Sequence, residues 1–179
     1  SSSDGFMRQN DMKSFVSVAL GANTNISALD TVVGEMKGEL GLGDDFKYPI
    51  FFSVPNIGIY SDSFGEIDGK SVSSNSLSER SNIVKWYIDY VEEQFNAREF
   101  ENVTLKGFYW FSESIDYALS TYESDLVAYF NDYSHGKGYK TMWIPFYSAA
   151  GIDEAKDLGF DSVTMQSGHA FEGGAEVGT

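Results

Sequence analysis

Short apolar runs alternate with stretches of helical periodicity along this chain, and that alternation constrains the fold more than any other feature. The apolar runs cover residues 47–56, 105–111, 139–147 and 162–166. Helical spacing of apolar residues covers 26–40, 78–95, about 122–135 and about 152–158. Strands joined through helices lie parallel, because each crossover returns the chain to the same edge of the sheet. The sequence therefore predicts an α/β fold of parallel strands with crossover helices.

Two architectures satisfy this order of elements: an open doubly wound sheet, or an arc of a (β/α)8 barrel. Each run begins apolar and turns polar or aromatic at its carboxyl end, at residues 53–56, 110–113, 143–148 and 166–169. In a barrel all strand ends meet at one functional face, whereas an open sheet uses mainly the loops at its switch point. We therefore expect a partial TIM-barrel arc of about four strands, neighbours in chain order, with helices on the outer side only.

The length of the chain limits how much of a barrel it can hold. A complete barrel needs about 250 residues, and the chain has 179. Apolar residues make up 42% of it, which is enough to close one core. We expect residues 1–179 to form a single unit, an internal portion of a longer barrel domain whose remaining strands come from the parent protein.

Charge and residue usage exclude several functional classes. The formal net charge of -15 opposes nucleic acid and anionic membrane surfaces. No apolar run approaches the length of about 20 residues that a membrane-inserted helix needs. There is no cysteine, and the two histidines, His135 and His169, are far apart in sequence. We therefore expect neither a metal site nor a cofactor, and a neutral ligand remains the class that the charge favours.

Glu113 is the candidate catalytic residue. It follows the second strand directly, and strand alternation places Tyr109, Phe111 and Glu113 on one side of the sheet. Partial burial beside Tyr109 and Trp110 would favour the protonated carboxyl that a general acid needs for cleaving a glycosidic bond. The alternative is that Glu113 caps a helix that follows it, and the residues leave both interpretations open.

Aromatic and amide side chains at the strand ends are candidates for binding a sugar, because flat apolar faces stack on sugar rings while polar groups bond hydroxyls. The candidates are Asn56, Tyr109, Trp110, Trp143, Tyr147, Gln166 and His169. Strand aromatics also form cores, and a lone histidine is often a structural hydrogen-bonding residue, so a structural role is the alternative for each.

Glycoside hydrolysis normally requires two carboxyl groups. A partner for Glu113 is not identifiable from the sequence. The acidic residues in plausible loops are Asp62, Glu66, Asp116 and Glu172. The second carboxyl could equally lie on another strand of the parent barrel.

Four blocks of the sequence carry a family resemblance. The blocks SERSNIVKWYIDYV, LKGFYWFSESI, GYKTMWIPFYSAAG and LGFDSVTMQSGHAF occur in this order. Together they resemble the bacterial domain-of-unknown-function family 4855, from about residue 28 onward. The resemblance implies a glycoside-hydrolase-like barrel in a secreted, cell-surface or periplasmic protein. It also implies that Glu113 is the prominent acidic position of the family, and that the blocks at 143–147 and 159–161 are family features.

Three functional hypotheses follow. The leading one is a hydrolase that acts on an extracellular glycan, with Glu113 as general acid/base. The second is a non-catalytic barrel that binds a glycan through the same aromatic residues without cutting it. The third is an open-sheet α/β protein in which Glu113 is only a helix cap.

Overall fold

The computed structural model describes residues 7–58 and 63–167 of the chain. The helices are α1 (Gln9–Ala19), α2 (Asn25–Met36), α3 (Leu77–Asn96) and α4 (Glu123–Gly136). The strands are β1 (Tyr48–Val54), β2 (Gly65–Ile67), β3 (Lys70–Val72), β4 (Val103–Trp110), β5 (Lys140–Trp143) and β6 (Ser162–Val163).

The main sheet confirms the predicted fold class. Its four strands follow the order β1-β4-β5-β6, and every neighbouring pair is parallel. Helix α3 connects β1 to β4, and α4 connects β4 to β5. Within the described residues the strand order never reverses, as it would at the switch point of a doubly wound sheet. The arrangement is therefore consistent with a partial arc of a (β/α) fold.

Helices α1, α3 and α4 form one layer against the sheet. Helix α3 packs against both α1 and α4, and α3 and α4 each contact β4. The ring of Trp110 packs on Phe130 of α4, with 5.2 Å between ring centroids. The hydroxyl of Tyr87 on α3 donates to the Ser53 carbonyl at 2.9 Å. Alternate strand residues pointing toward this layer therefore form the main core.

Three elements differ from the prediction. Helix α1 was not predicted, although Met12, Val16 and Leu20 recur at four-residue spacing and are buried. The loop predicted across 58–78 contains the β2–β3 hairpin. Its turn is Asp68-Gly69, with both φ angles positive at 52° and 72°, which matches the type I′ turn of two-residue hairpins.

The predicted helix at 152–158 was wrong, because the segment forms a succession of turns. Hydrogen bonds such as Glu154 N to Gly151 O (3.2 Å) and Gly159 N to Lys156 O (3.1 Å) span three residues. Both glycines have positive φ, at 96° and 97°. In a segment this short, with positive-φ glycines at both ends, too few helical hydrogen bonds can form to offset the free-energy cost of nucleating an α-helix.

Asp161 joins α4 to the sheet. Its carboxylate accepts hydrogen bonds from His135 Nε2 (2.8 Å), Lys140 Nζ (2.7 Å) and Thr141 N (2.8 Å). Burial opposes the charge, but these donors outweigh it and lower the pKa of Asp161 to about 2. The acidic residue of the 159–161 block therefore has a structural role.

Gly107 lies where β4 passes closest to β5. A Cβ atom at this position would lie 1.9 Å from the backbone carbonyl oxygen of Lys140. Because that oxygen belongs to a paired strand, it cannot move aside without opening the sheet. We expect Gly107→Ala to lower the free energy of unfolding by about 1–3 kcal/mol or more.

Denaturant unfolding measures this effect, with Gly136→Ala as the matched control. A Cβ at Gly136 meets no atom within 4 Å, so the same substitution there should be close to neutral. Equal stability of the two variants would show that β4 and β5 do not approach closely at Gly107.

Candidate functional site

The loops after the parallel strands meet at the carboxyl edge of the sheet, as predicted. Phe111 N donates to Val54 O at 3.2 Å, which continues the pairing of β4 with β1. Phe146 N donates to Glu113 O at 3.3 Å, which joins the loop after β5 to the loop after β4. The backbone of these loops is thus held as an extension of the sheet.

Glu113 and Gln166 contact each other at this edge. The Gln166 amide donates through Nε2 to Glu113 Oε1 at 2.9 Å and to the Ile144 carbonyl at 3.0 Å. The backbone of Gln166 is fixed as well, because it forms a parallel bridge with Phe146. The Glu113 carboxylate is therefore contacted by an amide that is itself anchored at two points, through its side chain and through its backbone.

The surroundings of Glu113 differ from the expectation in two ways. Its side chain is exposed, so the predicted partial burial beside Tyr109 and Trp110 is not observed. No helix begins directly after Glu113, because the chain is irregular from there until α4 begins at Glu123. The helix-cap interpretation of Glu113 is therefore wrong.

Tyr109 and Phe111 lie on the face of β4 that points away from the helices. Their ring centroids are 6.3 Å apart at an interplanar angle of 69°. Tyr109 is partly buried, whereas Phe111 is 55% exposed. Burial first, and the negative charge of Glu113 second, raise the pKa of the Tyr109 phenol. Its hydroxyl therefore stays protonated and can donate a hydrogen bond near Glu113.

The two strand tryptophans lie in the core. Trp110 is 1% exposed and Trp143 is 0% exposed. Trp143 stacks on Phe160 at 5.4 Å and 15°, and its Nε1 donates to the Ser112 carbonyl at 2.6 Å. Neither ring has a face open to a ligand in this structure, so the core alternative holds for both. The reason is register, because Trp110 pairs with Trp143 and both point toward the helix layer.

The remaining candidates fall into two groups. Tyr147 is 48% exposed after β5, and Asn56 is exposed after β1, so both belong to the carboxyl edge. His169 lies outside the described residues, as do the acidic candidates Asp62 and Glu172.

Two acidic candidates for the second carboxyl have structural contacts instead. Asp116 accepts a hydrogen bond from Ala118 N at 2.9 Å through Oδ1. Glu66 belongs to the β2–β3 hairpin. Its carbonyl oxygen accepts a hydrogen bond from Gln9 Nε2 of α1 at 2.6 Å, and its backbone N donates to Gln9 Oε1. The contact of Asp116 involves its carboxylate, whereas the contacts of Glu66 involve only its backbone.

Arg80 is a buried charge that the sequence analysis missed. It is 3% exposed on the first turn of α3, and its Nε and Nη2 donate to the Ile57 carbonyl at 3.0 and 2.6 Å. Its Nη1 donates to the Thr121 carbonyl. One guanidinium thus joins the loop after β1 to the loop after β4. A signal was present, because Arg80 occupies the same helical stripe as the buried Ile83 and Tyr87.

Glu123 lies beside this guanidinium and is 7% exposed. Its Oε2 accepts a hydrogen bond from Asp116 N at 2.7 Å. Burial raises the pKa of Glu123, and this effect outweighs the hydrogen bonds from Asp116 N and Ser112 and the charge of Arg80, which lower it. The loop that carries Glu113 is therefore bonded at its far end to a buried carboxyl group.

No helix in the described ranges, 7–58 and 63–167, is long and apolar enough to cross a bilayer. Within the same part of the chain, no three His, Asp or Glu side chains gather in a way that could hold a metal ion.

Comparison with known proteins gives one match. A family model described as Domain of unknown function (DUF4855) matches residues 3–176. No curated protein and no solved structure matches the chain.

The burial of Glu123 predicts a pH-dependent stability. Because its pKa in the folded state is raised, the folded chain holds this proton more tightly than the unfolded chain. The contribution of Glu123 to stability is therefore complete below its ordinary pKa of 4.5 and falls as pH rises through the raised value. Glu123→Gln does not titrate, so its stability relative to the natural chain should increase between pH 4 and pH 7. Melting temperatures of both proteins across this range test the effect, and a constant difference would contradict it.

Proposed function

The chain belongs to the family described as a domain of unknown function (DUF4855), and on that premise we propose that it is a glycoside-hydrolase-like protein. It binds an extracellular glycan at the carboxyl edge of its sheet, and Glu113 acts as general acid/base. The observation that carries the proposal is the contact between Glu113 and Gln166 at 2.9 Å. An exposed carboxylate, held by an anchored amide where parallel strands end, suits the reactive position of a (β/α) barrel.

The hydrogen bonding of this pair suits a sugar hydroxyl or a glycosidic oxygen. Gln166 uses Oε1 of Glu113, and the exposed carboxylate offers its second oxygen to a ligand. The Tyr109 hydroxyl adds a donor on the same face of β4. Sugar hydroxyls both donate and accept, so a site with an amide, a phenol and a carboxylate can satisfy them.

The aromatic platform differs from the one that the sequence predicted. Phe111 and Tyr147 are 55% and 48% exposed, whereas Trp110 and Trp143 are buried. Phe111 lies two residues before Glu113, and the two exposed rings follow the neighbouring strands β4 and β5. They are the surfaces against which a sugar ring would stack.

Location and partners form part of the same proposal. The net charge of -15 disfavours nucleic acid and is compatible with a neutral glycan. An extracellular, cell-surface or periplasmic location gives access to such a polymer. The remaining strands of a longer barrel would continue this sheet beyond its two edge strands and leave the carboxyl edge open to a ligand.

A non-catalytic glycan-binding barrel is the second candidate, and one observation favours it. The Glu113 side chain is exposed, whereas the general acid of a glycosidase is usually held in a partly buried, apolar setting. Hydrolysis would draw its second carboxyl from Asp62, Glu172 or another strand of the barrel. Binding alone requires none.

The substitution Glu113→Gln separates the two candidates. In a hydrolase it removes the transferable proton while preserving shape, so we expect a loss of about a hundredfold or more in the release of reducing ends from neutral polysaccharides. Glu101→Gln, an exposed position ahead of β4, is the matched control and should retain full activity.

The outcomes are distinct. Unchanged cleavage by Glu113→Gln would remove this residue from the mechanism. Binding without cleavage by the natural chain, weakened by Phe111→Ala, would establish the binding protein instead. Neither cleavage nor binding would refute a glycan site at this edge.

A further inference from the structure

A second cleft lies on the opposite side of the helix layer from the sheet. It has a volume of about 450 Å³ and runs between the β2–β3 hairpin and α3. The hairpin contributes Asp68 and Lys70, and the helix contributes Asn82, Trp86, Tyr90 and Glu93. Its volume falls in the range of about 300–1,000 Å³ that is typical of small-ligand sites.

The position of these helix residues separates the cleft from the Glu113 site. Residues 82, 86, 90 and 93 form one stripe of α3, while Ile83, Tyr87 and Val91 form the stripe buried against the sheet. Glu113 instead follows the carboxyl end of β4. A ligand in the cleft would therefore lie apart from Glu113, and this inference does not depend on the function proposed for that residue.

Two aromatic rings form the floor of the cleft. Trp86 and Tyr90 are stacked, with 5.4 Å between centroids and an interplanar angle of 13°. Phe64 packs edge-on against Trp86 at 5.6 Å, and Lys13 Nζ lies 5.9 Å from the centroid of the Trp86 ring. The rings are thus held in place before any ligand arrives, which lowers the entropy cost of binding.

The wall of the cleft is ordered by paired charges. Lys85 Nζ contacts Asp89 Oδ2 at 2.6 Å, and Lys137 Nζ contacts Asp89 Oδ1 at 2.7 Å. The Tyr133 hydroxyl also donates to Asp89 Oδ1 at 2.7 Å. Since its oxygens are engaged by protein donors, Asp89 supports the wall rather than offering a free charge to a ligand.

The rim carries donors and acceptors together. Asp68, Lys70, Asn82 and Glu93 are all exposed around the cleft. The positions of Asp68 and its neighbours are set by the tight turn, in which Asp68 and Gly69 both have positive φ. A mixed rim above an aromatic floor matches hydroxyl groups, which donate and accept, better than it matches a single charge.

Alternative small ligands fit less well. The net charge of -15 disfavours an anion. Recognition of a quaternary ammonium uses aromatic faces that surround the cation, whereas Trp86 and Tyr90 are nearly parallel. We propose that the cleft between the hairpin and α3 is a binding site for a neutral oligosaccharide, which holds a sugar chain without cutting it.

The fluorescence emission of Trp86 can report the binding of a ligand in this cleft. Of its three tryptophans, Trp110 and Trp143 are 1% and 0% exposed, so contact with a ligand should act mainly on the emission of Trp86. We expect titration of the full chain with cellohexaose, xylohexaose and maltohexaose to give a saturable change in emission with at least one of them.

Single substitutions inside and outside the cleft test where the sugar binds. Asp68→Gly, which keeps the positive φ of the turn, and Asn82→Ala each remove an exposed polar group and should weaken affinity by about three- to tenfold. Tyr90→Ala should weaken it about tenfold or more, and circular dichroism checks that this variant folds. Asn96→Ala, the same substitution at an exposed position outside the cleft on the same helix, should leave affinity unchanged.

Three results would overturn the proposal. The first is no change in emission with any of the three sugars. The second is a change that Asp68→Gly and Asn82→Ala leave intact. The third is a change that Phe111→Ala abolishes, because the ligand would then be bound at the carboxyl edge of the sheet.

Discussion

The parallel pairing of β4 with both of its neighbours is the constraint on which the rest of the structure depends. On one side it pairs with β1 over 48–54, and on the other it pairs with β5 over 140–143. Gly107 permits the approach to β5, since any side chain there would meet the Lys140 carbonyl. This register decides that Trp110 points toward the helices and Tyr109 away from them. The core and the candidate site therefore lie on opposite faces of β4.

Buried and partly buried charges hold the ends of this sheet. At the carboxyl edge, Arg80 donates to carbonyls in the loops after β1 and β4, and Glu123 bonds the backbone at Asp116. In the β5–β6 region, Asp161 bonds His135 and Lys140. Such groups lose hydration, but they satisfy loop carbonyls and amides that no strand partner could reach. They give irregular loops a defined shape, which a ligand site requires.

The same sheet and helix layer presents two surfaces of similar chemistry. At the sheet edge, exposed Phe111 and Tyr147 accompany Glu113 and Gln166. Across the helix layer, stacked Trp86 and Tyr90 lie below a mixed polar rim. Both combine aromatic rings with hydrogen-bond donors and acceptors. We propose a neutral sugar as the ligand of each, with cleavage at the sheet edge and binding alone in the cleft.

Local patterns in the sequence determined the α/β class, the four parallel strands, helices α2 to α4 and the edge at which Glu113 and Gln166 lie. They could do so because periodicity and strand ends are properties of neighbouring residues. Only the tertiary structure decided that Trp110 and Trp143 are core, that Glu113 is exposed, and that Glu123 lies beside the guanidinium of Arg80. These facts depend on which face of a strand meets the helices and on loops distant in sequence, and neither is encoded by local spacing.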